Sequence, residues 1–301
     1  HVTVTVDGAN QAAADGVSTR WIDQDRVHLI RAEGPAMIQG EAYTRTVALI
    51  DVSPESFYVV DVFRVRGGQD HSRFFHSAFG TIQSAGLELA PAEPLPLGEE
   101  MRKYQSDPAP EAGWSVDWTI EDKYGYREGL PPVHLRHTDF TRGAAAYTAE
   151  GWVDTHLFGG SPAWIPRIIT RRTTDEGVLD STFVSIIEPY IGEPVLTAQR
   201  RLVLTDGDGH SLGDSVVGLE LERRDGLTDL LLVADKPAAM KIGDRDIVFN
   251  GEFAVITMAG GTPVDASFVN AHAIQIGDTP LSYEAPLEYI KLNFDEKGSK
   301  E

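Results

Sequence analysis

The sequence contains no cysteine, an excess of acidic over basic residues, and no long apolar run. Without cysteine there is no disulfide, no thiol nucleophile and no thiolate metal site, although this absence does not identify the cellular compartment. Lys and Arg number 26 against 46 Asp and Glu, so the net charge is −20 at pH 7. We expect no nucleic-acid partner, which would require a basic face. We also expect no membrane span, which requires about 20 consecutive apolar residues.

The sequence of 301 residues is 42% hydrophobic, enough for a substantial core. Almost every periodic segment alternates apolar and polar residues with the two-residue period of a β-strand. These segments are residues 47–52, 57–65, 73–79, 165–171, 182–187, 200–204, 216–222, 230–234 and 253–258. The strongest helix candidate, residues 98–104, covers only one or two turns. We therefore predict an all-β fold, a large two-layer antiparallel β-sandwich (supersandwich).

Proline-rich stretches at 89–96 and 107–110 predict surface excursions between strands, because the β pattern resumes at Trp114. A weaker boundary lies near Pro194, after which a run of hairpins follows. We predict a sandwich domain over residues 1–195. Residues 196–301 either continue that sandwich or form a small C-terminal β-sheet region.

The chain begins with His1, which is not an initiator methionine, and the alternating β pattern starts at Val2. We expect residue 1 to lie inside a longer gene product or to follow a cleavage. The alternative is that His1 remains from an affinity tag.

Two stretches of the sequence have residue types and spacings that resemble metal sites. Residues 206–210, DGDGH, begin like a calcium loop, but the twelfth position, which requires a bidentate acid, is Val217. We predict a hairpin turn there. His134 and His137 have helical metal spacing, yet residues three apart in a strand point to opposite faces and cannot share an ion.

The other histidines have simpler interpretations. His71 and His76 are five residues apart, so in an unbroken strand they point to opposite faces of the sheet. Each is expected to be a hydrogen-bonded structural histidine. His76, beside Phe74 and Phe75, can alternatively face a cleft. Asp154 and His156 are two apart and share a face. A surface pair is expected for them, although a metal or proton-relay role is geometrically allowed.

Basic residues cluster locally despite the acidic total. Arg167, Arg171 and Arg172 occupy one predicted strand, and arginine suits bidentate contact with carboxylate or sulfate. These three arginines and His76 are the candidate substrate-binding residues for an anionic glycan. The alternative is structural pairing with acidic residues such as Glu188. Five aromatic residues can stack on sugar rings: Trp114, Trp118, Tyr124, Tyr126 and Trp152. The default expectation for each of them is packing in the core.

Three stretches, in matching order over about 190 residues, resemble the C-terminal β part of the heparinase II/III-like polysaccharide lyases. Residues 1–11, HVTVTVDGANQ, are similar to the family's HN-x-V-x-VDG-x-x-Q strand. Residues 45–51 and 58–68, followed by His71 and FHS at 75–77, resemble its paired strands. Arg171-Arg172 and TFVSIIEPY at 182–190 resemble its RR … T-x-F-V-S-x-x-EP segment.

The resemblance implies a β-sandwich joined to an N-terminal helical toroid, with β-elimination of uronate-containing polysaccharide in the cleft between them. In the family, the base and the carboxylate-neutralising groups come largely from the toroid. Zinc is held there by the second histidine of an H-x-H motif, a downstream aspartate and the histidine that opens the HN-x-V strand. Only this last ligand carries over, to His1, which is followed by Val2 instead of asparagine. The resemblance thus implies zinc in the intact parent enzyme, but no catalytic residue and no cofactor in this portion alone.

Three function hypotheses follow. The first is the β-sandwich portion of such a lyase, inactive alone, with acidic polysaccharide and the toroid of the same parent chain as partners and a periplasmic or secreted location. The second is a non-catalytic carbohydrate-binding or adhesion β-sandwich, and the third is a purely structural C-terminal module. An upstream helical region followed by an H-x-H strand would favour the first.

Overall fold

The computed structural model describes residues 2–96, 100–153, 163–242, 245, 247–277 and 279–294. The chain divides into a first unit, residues 1–193, and a second unit, residues 194–301. The strands of the first unit are β1 (Thr3–Val6), β2 (Val17–Gln24), β3 (Val27–Glu33), β4 (Ala42–Ser53), β5 (Ser56–Arg66), β6 (Asp70–His76), β7 (Gly80–Ala85), β8 (Ala90–Pro91), β9 (Met101–Asp107), β10 (Trp114–Ile120), β11 (Val133–Asp139), β12 (Ala145–Val153), β13 (Ala163–Thr173) and β14 (Asp180–Ile191). One 3-10 turn, Pro35–Met37, precedes β4.

Two antiparallel sheets form the first unit. The six-stranded sheet has the order β1-β6-β13-β12-β9-β8, and the eight-stranded sheet has the order β2-β3-β4-β5-β14-β11-β10-β7. Their facing sides share a core in which Phe75 and Ile168 of the first sheet pack with Trp114 and Trp118 of the second. The rings of Phe75 and Trp118 meet edge to face, with centroids 5.7 Å apart. The predicted all-β, two-layer antiparallel sandwich is confirmed.

The helix candidate at residues 98–104 was wrong. Residues 101–104 belong to β9, whose backbone pairs with β12. The ladder shifts register between Thr148 and Glu150, and Lys103 has a positive φ of 55°. Such a bulge interrupts strict alternation, which is why the period-two pattern is missing from this strand.

The proline-rich stretch at 89–96 is an excursion within the first unit, as predicted. It contributes β8 to the edge of the six-stranded sheet. It also brings Leu95 onto the outer face of that sheet, where Leu95 packs with Phe74, Tyr104 and Ile169. Part of the outer face is therefore covered by the chain itself.

The second unit is one antiparallel sheet of strongly bent strands. Its strands are β15 (Leu196–Leu202), β16 (Leu204–Thr205), β17 (Val216–Arg223), β18 (Leu227–Ile242), β19 (Ile247–Ala259), β20 (Thr262–Ile276) and β21 (Thr279–Asn293). Register shifts recur in three successive ladders, between Val233 and Ala238, between Asn250 and Phe253, and between Ala271 and Ala273. Bulges aligned in this way bend a sheet. As a result, both ends of β19 line one pocket of about 390 Å³.

A layer of charged and polar side chains crosses the interior of the sandwich. Asp61 of β5 accepts hydrogen bonds from Arg73 Nη2 of β6 at 2.7 Å, and from Arg45 Nε and Nη2 of β4 at 2.9 and 2.7 Å. Arg73 Nη2 also donates to Ser185 Oγ of β14 at 2.8 Å. Burial alone would raise the pKa of Asp61, but the charges of Arg73 and Arg45 outweigh it and lower the pKa to about 2. The ionised carboxylate therefore joins the two sheets.

The polar layer continues at Asp139 and His137 of β11. Asp139 is fully buried and accepts hydrogen bonds from the Thr141 amide at 2.8 Å and from Thr170 Oγ1 at 2.9 Å. Burial raises the pKa of this carboxyl despite those bonds. Burial, together with the charge of Arg73, lowers the pKa of His137 to about 3, so its imidazole is neutral near pH 7.

Replacing Asp61 with alanine is expected to lower the free energy of unfolding of the first unit by about 3–5 kcal/mol, because Arg73 becomes a buried charge without its partner. Urea unfolding followed by tryptophan fluorescence reports on this unit, because all five tryptophans lie in it. Glu41→Ala is the matched control. It breaks an exposed ion pair with Arg66 and should cost at most about 1 kcal/mol. Equal losses in the two variants would contradict the role of Asp61.

The pH dependence of stability provides a second check on the same carboxylate. Its folded pKa of about 2 lies below the ordinary value of 3.8, so its contribution is present above the ordinary pKa and is lost as the pH falls through 2. The shift corresponds to about 2 kcal/mol. Between about pH 4 and pH 2, the Asp61→Asn variant should therefore lose less stability than the unmodified chain.

Candidate functional site

Two of the predicted binding residues, Arg167 and His76, meet on the six-stranded sheet. They are directly opposite each other in the ladder between β13 and β6. Side chains alternate along β13, so Ile168 faces the other sheet, whereas Ile169 lies in the outer cluster. Arg167 and His76 therefore lie on the outer face, away from the eight-stranded sheet.

The other two predicted arginines make structural contacts. Arg171 donates from Nε and Nη2 to the two carboxylate oxygens of Asp70, at 2.9 and 2.7 Å. This hydrogen-bonded pair raises the pKa of Arg171. Arg172 donates from Nη1 to the backbone oxygen of Asp180 at 2.7 Å. The buried Nε atoms of Arg167 and Arg172 have no hydrogen-bond partner among the described residues.

The Arg167 side chain lies directly over a glycine. A Cβ placed on Gly151 of β12 would be 1.9 Å from Arg167 Nε and 2.6 Å from its Cδ. Any larger residue at this position would displace the guanidinium. Burial lowers the pKa of Arg167, but arginine keeps its charge at any physiological pH.

Tyr104 of β9 completes the group and was missed by the sequence analysis. It is buried in the outer cluster with Ala149 and Ile169. Burial raises the pKa of its phenol, while the charge of Arg167 acts in the opposite direction. The phenol is therefore protonated at neutral pH. The alternation that identifies a strand is interrupted at the β9 bulge, so the sequence did not mark Tyr104 as a strand residue.

His76 is neutral in this environment. Burial lowers its pKa, and the charge of Arg167 lowers it further. Its Nδ1 lies 3.0 Å from the backbone oxygen of Ser77, which assigns the proton to Nδ1 and leaves Nε2 as an acceptor. The outer face thus presents one permanent cation and one imidazole acceptor, which suit an acidic sugar, whereas the Tyr104 hydroxyl beneath them is buried.

The remaining histidines lie apart from this group. His71 is buried, with Nδ1 2.8 Å from Ser181 Oγ and Nε2 2.5 Å from the Gly67 backbone oxygen, as expected for a structural histidine. His134 contacts Asp117 at 2.9 Å, whereas His137 lies in the interior of the sandwich. The two side chains therefore have different surroundings, as expected for residues three apart in a strand.

The aromatic candidates fall into two groups. Trp114 and Trp118 are buried in the sandwich core, as expected from the default interpretation of core packing. Tyr124 and Tyr126 are exposed and stack on each other, with centroids 5.6 Å apart. Trp152 is 39% exposed at the end of β12.

The predicted metal ligand, His1, lies outside the described residues, as do Asp154 and His156. Among the described residues, one group of three potential ligand side chains lies within 4.8 Å of one another: Asp206, Asp208 and His210. There Asp206 Oδ1 accepts the amide hydrogens of Asp208 and His210, both at 2.9 Å. These residues form the predicted hairpin turn, and none of them belongs to the first unit.

The fold places the chain in the class of antiparallel β-sandwiches, here followed by a bent third sheet. Among solved structures, it is similar to a heparinase III over 78% of this chain and 30% of that one, with a TM-score of 0.50 and 13% identity. A heparan sulfate lyase HepC mutant from Pedobacter heparinus matches over 77% and 30%, with a TM-score of 0.46 and 16% identity. Another heparinase III structure matches over 77% and 29%, with a TM-score of 0.45 and 14% identity.

Neither a protein-family model nor a curated protein sequence matches the chain. The chain spans about 30% of the length of the heparinase III that it resembles. It therefore shares the fold of a β portion of heparinase III, which confirms the predicted resemblance at the level of fold. No helix with the length and apolar character of a membrane span is found in the described residues.

The contact between Gly151 and Arg167 can be tested with a double-mutant cycle. Gly151→Ala is expected to destabilise the first unit by about 1–3 kcal/mol, because the new Cβ overlaps the Arg167 side chain. In an Arg167→Ala background, Gly151→Ala should lower the free energy of unfolding by much less, because the Arg167 atoms that the new Cβ would overlap have been removed. Urea unfolding followed by tryptophan fluorescence measures both. Equal costs in the two backgrounds would mean that Arg167 does not lie over Gly151.

Proposed function

We propose that this chain is the β-sandwich portion of a polysaccharide lyase that cleaves acidic, uronate-containing polysaccharide by β-elimination, and that this portion alone is inactive. The main support is the fold shared with a β portion of heparinase III. The pairing of Arg167 with His76 on an outer sheet face adds to it, because a guanidinium beside a hydrogen-bond acceptor suits an acidic sugar.

β-Elimination needs three functions. A base removes the proton on C5 of the uronate, the electrons of that bond form the C4–C5 double bond, and the bond from C4 to the glycosidic oxygen breaks while an acid protonates that oxygen. The adjacent carboxylate must be neutralised for the C5 proton to be removable. In this proposal Arg167 binds an acidic group of the sugar and His76 Nε2 accepts a hydroxyl hydrogen bond. The proton-transferring groups come from a helical toroid in the same parent chain.

Zinc belongs to the intact parent enzyme in this proposal, with His1 as one ligand. A single histidine does not hold zinc, which takes three or four protein ligands in typical sites. Among the described residues of the first unit, no group of three potential metal ligands lies close together. We therefore assign no catalytic step to the metal. The proposed location is periplasmic or secreted, because large polysaccharides are encountered outside the cytoplasm.

The lyase proposal predicts activity only when the upstream helical region is present. A protein carrying that region should convert uronate polymers into unsaturated products, followed by their ultraviolet absorbance, whereas residues 1–301 alone should not. In the longer protein, Arg167→Ala should raise KM about tenfold or more, with a salt-dependent effect. Arg66→Ala is the matched control, because Arg66 is an exposed arginine paired with Glu41.

Two outcomes would argue against the lyase proposal. Product formation by residues 1–301 alone would show that the proton-transferring groups lie in this chain. Binding of acidic polysaccharide without elimination by the longer protein would instead favour the carbohydrate-binding alternative. Unchanged KM in the Arg167→Ala variant would remove Arg167 from the substrate site.

The zinc assignment is tested separately. His1→Ala in the longer protein should lower bound zinc, measured by elemental analysis after dialysis, because one ligand is removed. His272→Ala is the control, since His272 lies on β20 of the second unit and outside the group of potential ligands at Asp206, Asp208 and His210. Full zinc retention in the His1→Ala variant would exclude His1 as a ligand.

A further inference from the structure

A groove of about 550 Å³ opens between the edges of the two sheets of the first unit. Thr81 of β7 lines one side, and Gln105 of β9, Thr148 of β12 and Pro166 of β13 line the other. Pro166 precedes Arg167 in an alternating strand, so their side chains point to opposite faces of the six-stranded sheet, and Arg167 does not line the groove. Tyr104 and Ala149 of the outer cluster also line it. The groove has the volume of typical small-molecule sites, about 300–1,000 Å³.

A bulge presents Lys103 at this groove, and Arg102 lies next to it, paired with the lining residue Glu150. Lys103 has a φ of 55°, a conformation that few residues other than glycine adopt, at the register shift of β9 against β12. Lys103 Nζ contacts Glu150 Oε1 at 2.7 Å, and Arg102 Nε contacts Glu150 Oε2 at 2.8 Å. The two cations outweigh the desolvation of Glu150 and lower its pKa. Two positive charges thus contact one carboxylate beside the groove.

Aromatic rings lie beside these charges. The Arg102 guanidinium carbon is 4.0 Å from the centroid of the Trp164 ring, which holds both groups in a fixed arrangement. Trp152 is directly opposite Trp164 in the ladder between β12 and β13 and is 39% exposed. Trp164 is only partly exposed, and both rings lie beside the groove and are not part of its lining. An exposed indole next to a groove is typical of binding surfaces.

We propose that this groove is a second saccharide site, which neither Arg167 nor His76 lines, and that its ligand is an acidic oligosaccharide. The apolar faces of sugar rings pack on the indoles of Trp152 and Trp164. Gln105 and the threonines bond to sugar hydroxyls. Arg102 and Lys103 attract carboxylate or sulfate groups, which requires the ligand to be anionic. The ligand class is that of the proposed function, but binding here needs neither the helical toroid nor elimination.

Isothermal titration calorimetry on the 301-residue chain tests this site with two probes that differ only in the acid group. These are a β-1,4-linked tetramannuronate and the neutral β-1,4-linked mannotetraose. Tetramannuronate is expected to bind at least tenfold more tightly, with affinity falling as salt rises. Arg102→Gln and Trp164→Phe should each weaken tetramannuronate binding at least about fivefold. Arg66→Ala, which also removes an exposed paired arginine, should leave it within about twofold.

The outcomes separate this inference from the proposed function. Arg102 is exposed, so Arg102→Gln is expected to fold, and a thermal unfolding curve for each variant verifies that it does. Weakened binding in Arg102→Gln and Trp164→Phe, but not in Arg167→Ala, supports the groove even if no elimination activity is ever found. The inference is overturned if tetramannuronate does not bind, if mannotetraose binds equally well, or if only Arg167→Ala weakens binding.

Discussion

The ion pair between Asp61 and Arg73 connects the two sheets of the first unit, and the placement of the candidate site depends on it. Apolar packing between sheets tolerates small displacements, whereas a buried carboxylate that accepts three hydrogen bonds from arginine nitrogens does not. Arg73 lies on β6, two ladder positions from Phe75, and β6 also carries His76. The pair therefore fixes the position of β6, which carries His76. Strand β13, which carries Arg167, is held in turn by its backbone hydrogen bonds to β6.

Strand β13 shows how one segment serves two surfaces. Because successive side chains point to opposite faces, Trp164 and Pro166 lie on the side of the inter-sheet groove, while Arg167 lies on the outer face with His76. The neighbouring strand β12 contributes in the same alternating way, with Glu150 beside the groove and Gly151 beneath Arg167. Charged side chains that are adjacent in sequence here point to opposite faces of the sheet, although Tyr104 of the outer cluster also lines the groove.

The sequence predicted the fold class well and the site only in part. Alternation at residues such as 57–65 and 182–187 marks strands because one side of each is buried, and this is a local property of the chain. The pairing of His76 with Arg167 depends on register between strands about 90 positions apart, which no local pattern encodes. Tyr104 was missed because the β9 bulge disrupts the alternation that identifies a strand. The role of Gly151 depends on a contact with Arg167 that appears only in the folded chain.

The electrostatics of the outer face favour binding over proton transfer. Abstracting the C5 proton of a uronate requires a base whose pKa is near the working pH or above it. Burial raises the pKa of the Tyr104 phenol, which keeps its proton, and burial lowers the pKa of His76, which makes its free nitrogen a weaker base than ordinary imidazole. Arg167 carries a permanent charge and cannot exchange protons. Arg167 and His76 have the chemistry to hold an acidic sugar, and none of the three groups is suited to move its proton. The elimination proposed above therefore needs a base and an acid supplied from beyond this face.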